Sequence, residues 1–232
     1  MKTHIIGVGG VGSWLTHTLV KLVGDEPIVL HDGDRLEEKN LDRQLFSEED
    51  IGQYKAEALS KKLGPDFLNL YFTQHQAKYE EDDVLICCAD NNPCRVAVLE
   101  EADRCSCRAI IAANEVTSAE AYFYDGAPSD YFEAGGDLDP RVYYPELLKD
   151  KSGDPRAAAI GCTGAAQLAQ PQLVSANFMA AGLAQWLYIL WVTNYEKYNS
   201  SFNWTSLPYR FRANLSRLET SLIRDAIGTA NE

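Results

Sequence analysis

Apolar residues in the first half of the chain fall into short blocks separated by stretches of different period. "THIIGV" (3–8), "PIVLHD" (27–32), "FLNLYF" (67–72), "DVLICC" (83–88), "RAIIAAN" (108–114) and "EAYFYD" (120–125) have the length and composition of strands. Between them the spacing becomes helical. Trp14, Leu15, Leu19, Leu22 and Val23 predict a helix over Ser13 to Val23. A second helix is expected from about Tyr54 to Leu63, stopped by Gly64-Pro65, and a third over "RVAVLEEADR" (95–104). Strands alternating with helices predict an α/β fold, a mostly parallel sheet with helices on both faces.

The second half reads differently. Between Gly126 and Gly161 the periodicity gives way to Gly, Pro, Asp and Tyr, a length at which a loop usually has a function. A long apolar helix is expected from about Leu168 to Tyr195, then a small hairpin around Ser206-Leu207-Pro208 and a final helix. The expected organisation is one domain over 1–232. It comprises a nucleotide-binding half (1–125), a loop (126–161) and a C-terminal half (162–232).

Composition narrows the partners. The formal charge of -13 argues against nucleic acid or an anionic membrane, both of which require a basic face. The run "ANFMAAGLAQWLYILWV" (176–192) contains Asn177 and Gln185 and falls short of the ~20 residues a bilayer needs. It is instead expected to be buried, in part between two subunits of a two-fold dimer, because it is apolar nearly all round. Met1-Lys2-Thr3 leads straight into the first strand with no secretory signal, and the six cysteines have no disulfide-framework spacing. A cytoplasmic location is expected. No CxxC pair is present, so no zinc site is expected.

The chemistry starts at "HIIGVGGVGSWL" (4–15). Gly7, Gly9, Gly10 and Gly12 fit G-x-G-x-x-G with one additional glycine, after a strand and before a helix. That arrangement sets phosphates over backbone N–H groups at a helix N-terminus, although a purely structural glycine turn would read the same way. Asp32 ends the second strand about 20 residues beyond the last glycine, where a carboxylate can bind a ribose hydroxyl. The two features together point to an adenosine nucleotide and leave NAD, FAD and ATP open.

The stretch "HDGDRLEEKNLDRQLF" (31–46) separates them. A triphosphate-handling enzyme needs cations where charge develops, and Arg43 and Lys55 supply a planar fork and a second positive group. Asp90 closes the strand "DVLICCAD", where it can hold Mg²⁺ together with phosphates.

Taken as a set, these elements resemble the HesA/MoeB/ThiF superfamily, the ubiquitin-activating-enzyme-like adenylyltransferases. The resemblance rests on Gly7-Val8-Gly9-Gly10-Val11-Gly12-Ser13, Asp32-Gly33-Asp34, Asn40-Leu41-Asp42-Arg43-Gln44, Lys55-Ala56-Glu57-Ala58 and Ala89-Asp90-Asn91 with Arg95. It covers about the first 115 residues and implies a Rossmann-like fold. It also implies that Asp32 binds the ribose of ATP and that Gly9, Gly10 and Gly12 admit its phosphates. Asn40, Arg43, Gln44 and Lys55 would line the triphosphate, and Asp90 would position Mg²⁺. A substrate carboxylate would attack the α-phosphate to give an acyl-adenylate and pyrophosphate. In much of the superfamily that carboxylate ends a ubiquitin-like or sulfur-carrier protein.

Cys162, in "AAIGCTGAAQLAQP", lies where the superfamily often carries an acyl-accepting thiol, but an incidental cysteine is equally compatible. Two departures stand out: paired CxxC ligands are missing, and so is an N-terminal helix bearing an arginine for the partner's site. The compactness is similar to ThiF-like proteins of bacterial mobile elements such as the PRTRC system. Two other readings are an NAD- or FAD-dependent oxidoreductase on the same glycine turn, and a non-catalytic ThiF-like subunit.

Overall fold

The computed structural model describes residues 1–115, 118–126, 139–149, 173–198 and 210–214. Their strands are β1 (Thr3–Ile6), β2 (Ile28–His31), β3 (Asp66–Leu68), β4 (Val84–Cys87), β5 (Arg108–Asn114), β6 (Ser118–Asp125) and β7 (Arg210–Asn214). They form one sheet in the order β3-β2-β1-β4-β5-β6-β7. β3 to β5 run parallel, while β6 and β7 are antiparallel additions at one edge. The helices are α1 (Gly10–Val23), α2 (Lys55–Leu63), α3 (Asn92–Cys105), α4 (Pro140–Tyr143), α5 (Glu146–Lys149) and α6 (Val174–Tyr198).

Both sheet faces are covered, which explains why the central strands read as continuous apolar runs. On one face Ile5, Leu30, Val84, Ile86 and Ile110 pack against Leu15 and Leu19 of α1, Leu59 of α2, and Leu187 and Trp191 of α6. On the other, Ile6, Leu85, Cys87 and Ile111 meet Val98, Leu99 and Ala102 of α3. Cys87 and Cys88 are buried on opposite faces of the sheet. The inner side of α6 carries Ala176, Ala180, Ala181 and Ala184, all buried, and small side chains let the helix lie close against α1 and the sheet.

Local signals behave as their chemistry requires. α2 ends at Gly64, whose φ of 95° is the left-handed conformation of a helix stop. The side chain of Asn91 caps α3, accepting from Cys94 N at 2.9 Å, with a proline in the first turn.

Two expectations change, and a third is described only in part. Only Phe67 and Leu68 of "FLNLYF" are strand, preceded by Asp66. Tyr71 and Phe72 leave the sheet, Tyr71 to reach Asp34 and Phe72 to pack against His31 and Tyr79. Within the expected loop 126–161, residues 139–149 form α4 and α5, tied to α3 by Arg141 donating to Asp103 at 2.7 Å. The second arm of the expected hairpin is β7, which adds to β6 in the main sheet. Cys162, the first arm of the hairpin and the C-terminal helix lie outside the described residues. Among the described residues no helix is long and apolar enough to cross a membrane.

Candidate functional site

The strand order reverses between β1 and β4, whose carboxyl ends define the crevice where ligands bind in sheets of this kind. The glycine segment follows β1 into that crevice. Gly7 has a φ of 82°, and a Cβ on it would stand 3.0 Å from Ala89 N beyond β4. At Gly12 a Cβ would stand 2.0 Å from the Gly7 carbonyl oxygen, so the turn closes only with glycine there. The N-terminus of α1 at Gly9–Gly10 has no side-chain cap. Its positive dipole end and backbone amides are therefore available to an anion.

Asp32 follows β2 at the rim of the crevice and is buried. Its Oδ2 accepts from Val8 N at 2.8 Å and its Oδ1 from Asp34 N at 2.8 Å, which locks the carboxylate beside the glycine turn. Burial raises its pKa to about 6, against the lowering pull of Lys55 and the two backbone N–H groups.

Lys55 opens α2 and is buried. Its Nζ donates to Asp34 Oδ2 at 3.0 Å, while Tyr71 OH donates to Asp34 Oδ1 at 2.6 Å. Lys55 N also donates to the Asp34 carbonyl at 3.0 Å, so α2 is anchored to the loop after β2 at its first residue.

The segment between β2 and α2 brings in the remaining residues. Asn40 is buried and accepts from Glu37 N at 3.0 Å, shaping a short 3-10 turn rather than offering a free amide oxygen. Arg43 Nη1 donates to Asp42 and to the Lys39 carbonyl, each at 3.1 Å, with the guanidinium still partly open to solvent. Gln44 is buried with its Oε1 unpartnered among the described residues, and its Nε2 lies 3.6 Å from where Gly9 would carry a Cβ. Leu45 N donates to Ser13 Oγ at 3.1 Å, pinning the segment to α1.

Asp90 stands exposed in the turn between β4 and α3. Beside it, Arg95 Nε donates to the Ala89 carbonyl at 3.3 Å, and Nη1 to Asn92 at 3.0 Å. A cavity of about 240 Å³ opens just beyond, lined by Arg95, Asn114, Glu120, Tyr122 and Tyr144. Another, of about 300 Å³, lies at the amino end of β2 and β3, away from the crevice. Among the described residues no group of three or more His, Cys, Asp or Glu side chains is gathered for a metal.

The predicted residues thus divide. Gly7, Gly9, Gly10, Gly12, Asp32 and Gln44 lie at the uncapped helix start, Lys55 and Arg43 have partners of their own in the loop after β2, and Asp90 stands exposed in the turn after β4. Asn177 of α6 is a member that pattern reading missed. It is fully buried, and its amide lies against Gly10. Its only signal in the sequence was an amide in an otherwise apolar run.

Residues 1–213 match the ThiF family. The chain belongs to the ThiF family. Among curated proteins it is 32% identical over 103 residues to the NEDD8-activating enzyme E1 catalytic subunit of Caenorhabditis elegans, covering 40% of this chain and 24% of that protein. It is 30% identical over 115 residues to ubiquitin-like modifier-activating enzyme 5 of Drosophila persimilis, covering 40% of this chain and 30% of that protein. The matches therefore span less than a third of either relative's length. The fold of this ThiF-family chain resembles that of E. coli MccB, solved with ATP, with a TM-score of 0.62 at 22% identity over 93% of this chain and 64% of that one.

Proposed function

We propose that this ThiF-family protein is an ATP-dependent adenylyltransferase that activates a carboxylate as its acyl-adenylate, releasing pyrophosphate. The observation that carries the reading is the uncapped start of α1 packed under Gln44, with Asp32 locked at 2.8 Å to the same turn. Such a set fits a nucleoside phosphate: amides and a helix dipole for the anion, a fixed carboxylate for the ribose.

The roles follow from the chemistry of each group. Asp32 accepts from a ribose hydroxyl. The backbone around Gly9, Gly10 and Gly12 and the Gln44 amide hold phosphate oxygens. Arg43 and Lys55 supply positive charge, Arg43 by turning its partly exposed fork away from Asp42. Asp90 is exposed and suits Mg²⁺, which is commonly held by one or two carboxylates together with phosphates and water. When bound, Mg·ATP supplies the electrophilic α-phosphate and the pyrophosphate leaving group. What remains for the chain is positioning and charge stabilisation, the main requirements of such transfers.

The cavity beyond Asp90 gives the acyl donor room next to the nucleotide. The names of the two curated relatives, and MccB complexes solved with MccA, favour the C-terminus of a ubiquitin-like protein or a peptide as that donor. A homodimer is part of the reading: Phe178 and Trp186 stand more than half exposed on the outer side of α6. Large aromatic side chains left open to water on one helix suit a partner's surface.

ATP–pyrophosphate exchange tests the proposal, run with ubiquitin-like proteins encoded near the gene. Exchange that depends on one of them is expected, together with thermal stabilisation by saturating Mg·ATP and not by NAD. Stabilisation by NAD exceeding that by Mg·ATP would overturn the reading in favour of an oxidoreductase.

A further inference from the structure

Asn177 lies in α6, 134 positions from Arg43, yet its Nδ2 donates to the Arg43 carbonyl at 3.4 Å. The same carbonyl accepts from Trp14 Nε1 of α1 at 3.3 Å. The Arg43 peptide is thus held from two helices at once. Asn177 is fully buried among the alanines 176, 180 and 181, and among the described residues its Oδ1 has no partner. A buried amide left half satisfied costs more than an apolar residue in the same space, so packing alone does not account for it.

Gly10 completes the observation. A Cβ there would stand 2.6 Å from Asn177 Nδ2 and 3.0 Å from its Oδ1. Any side chain at this position would push the amide away from Arg43. The glycine that exceeds the G-x-G-x-x-G pattern is therefore the one that seats Asn177.

We infer that Asn177 is a positioning residue of the nucleotide site, holding the Arg43 peptide against the first turn of α1. The inference rests on the adenylyltransferase reading for the identity of the ligand. Its physical content is separate. Among the described residues the Arg43 guanidinium is tied to Asp42 and the Lys39 carbonyl, so its reach is set by where its backbone is fastened. Gln44, the next residue, inherits the same anchor beside Gly9. Asn177 fixes both relative to the amides of α1.

The test uses the full chain with Asn177→Ala, and with Asn177→Asp, which keeps the shape and removes the donor, should the first not fold. Hydrogen exchange of the amides of 43–45 and 10–13 is measured without nucleotide, and Mg·ATP affinity by calorimetry. Loss of one backbone-directed hydrogen bond predicts exchange faster by roughly three- to tenfold in those two segments only, and Mg·ATP binding weaker by a similar factor. In pyrophosphate exchange the KM for ATP rises while kcat changes less. Unchanged protection of 43–45 overturns the inference, and so does faster exchange with unaltered Mg·ATP affinity. A wild-type protein that binds no Mg·ATP removes the nucleotide reading and this inference with it. Weakened binding in the variant alongside absent pyrophosphate exchange in the wild type supports the role of Asn177 and overturns only the adenylation step.

Discussion

Lys55 Nζ donates to Asp34 Oδ2 at 3.0 Å, and this pair sets the entrance to the proposed phosphate site. The lysine is nearly buried while the aspartate is about one-third exposed, so the cation is pre-positioned by a partner that solvent screens. An incoming phosphate meets a lysine already oriented.

Lys55→Met keeps the buried stem and removes the charge. It should lower the melting temperature, because Asp34 and buried Asp32 lose their positive neighbour, and lower pyrophosphate exchange roughly a hundredfold, the usual effect of losing ~3 kcal/mol of transition-state stabilisation. Wild-type exchange in Lys55→Met would show that the lysine serves only the Asp34 anchor.

The glycines separate folding from binding. Gly12→Ala drives a methyl to 2.0 Å from the Gly7 oxygen and should cost several kcal/mol or prevent folding. At Gly9 the φ is -79° and the nearest atom, Gln44 Nε2, is 3.6 Å away. Gly9→Ala should cost less stability than Gly12→Ala, since its methyl meets no atom closer than 3.6 Å, yet weaken Mg·ATP binding because that methyl occupies the proposed cradle. Unaltered affinity in a folded Gly9→Ala protein would move the phosphates elsewhere.

Two buried histidines should make the fold acid-sensitive. His4 Nδ1 and His31 Nε2 are 3.0 Å apart, and burial lowers the pKa of His4 to about 4 and of His31 to about 3. Both lie below the unfolded value of 6.5, so between pH 6.5 and about 4 the unfolded chain binds more protons at these sites. Their contribution is complete above pH 6.5 and is lost progressively as the pH falls through that window. Asp32, raised to about 6, acts in the opposite sense between pH 3.8 and 6, as one group against two. A urea midpoint that declines from pH 7 to 5 is expected; a flat or rising midpoint would contradict the buried neutral pair. Nucleotide affinity should fall as well when Asp32 is protonated below about pH 6.

Chemistry and acyl transfer are separable by two substitutions. Asp90→Ala should abolish pyrophosphate exchange while leaving weak ATP binding, because it removes the proposed metal carboxylate. Cys162→Ala should leave exchange intact, since adenylation precedes thiol attack, and should abolish a reducible protein adduct. Normal exchange in Asp90→Ala would overturn the assignment of Asp90. A normal downstream product in Cys162→Ala would assign acyl transfer to another nucleophile.

Much of this protein was legible along the chain. The apolar blocks predicted β1, β2, β4, β5 and β6 to within about two residues at each end, because a buried parallel strand must be apolar on both faces. Gly7, Gly12 and Asp32 were legible for a similar reason: the strand–turn–helix that uses them is built from neighbours in sequence. Tertiary structure decided what joins distant segments. Periodicity reports burial but not partner, so that β7 pairs with β6 in the main sheet was not legible. Tyr71 read as strand, yet its hydroxyl reaches Asp34 across 37 positions. Asn177 read as an interruption in an apolar helix until folding brought it to Gly10 and Arg43. Its hydrogen bond exists only once α6 has packed on α1, and no local rule of sequence encodes that contact.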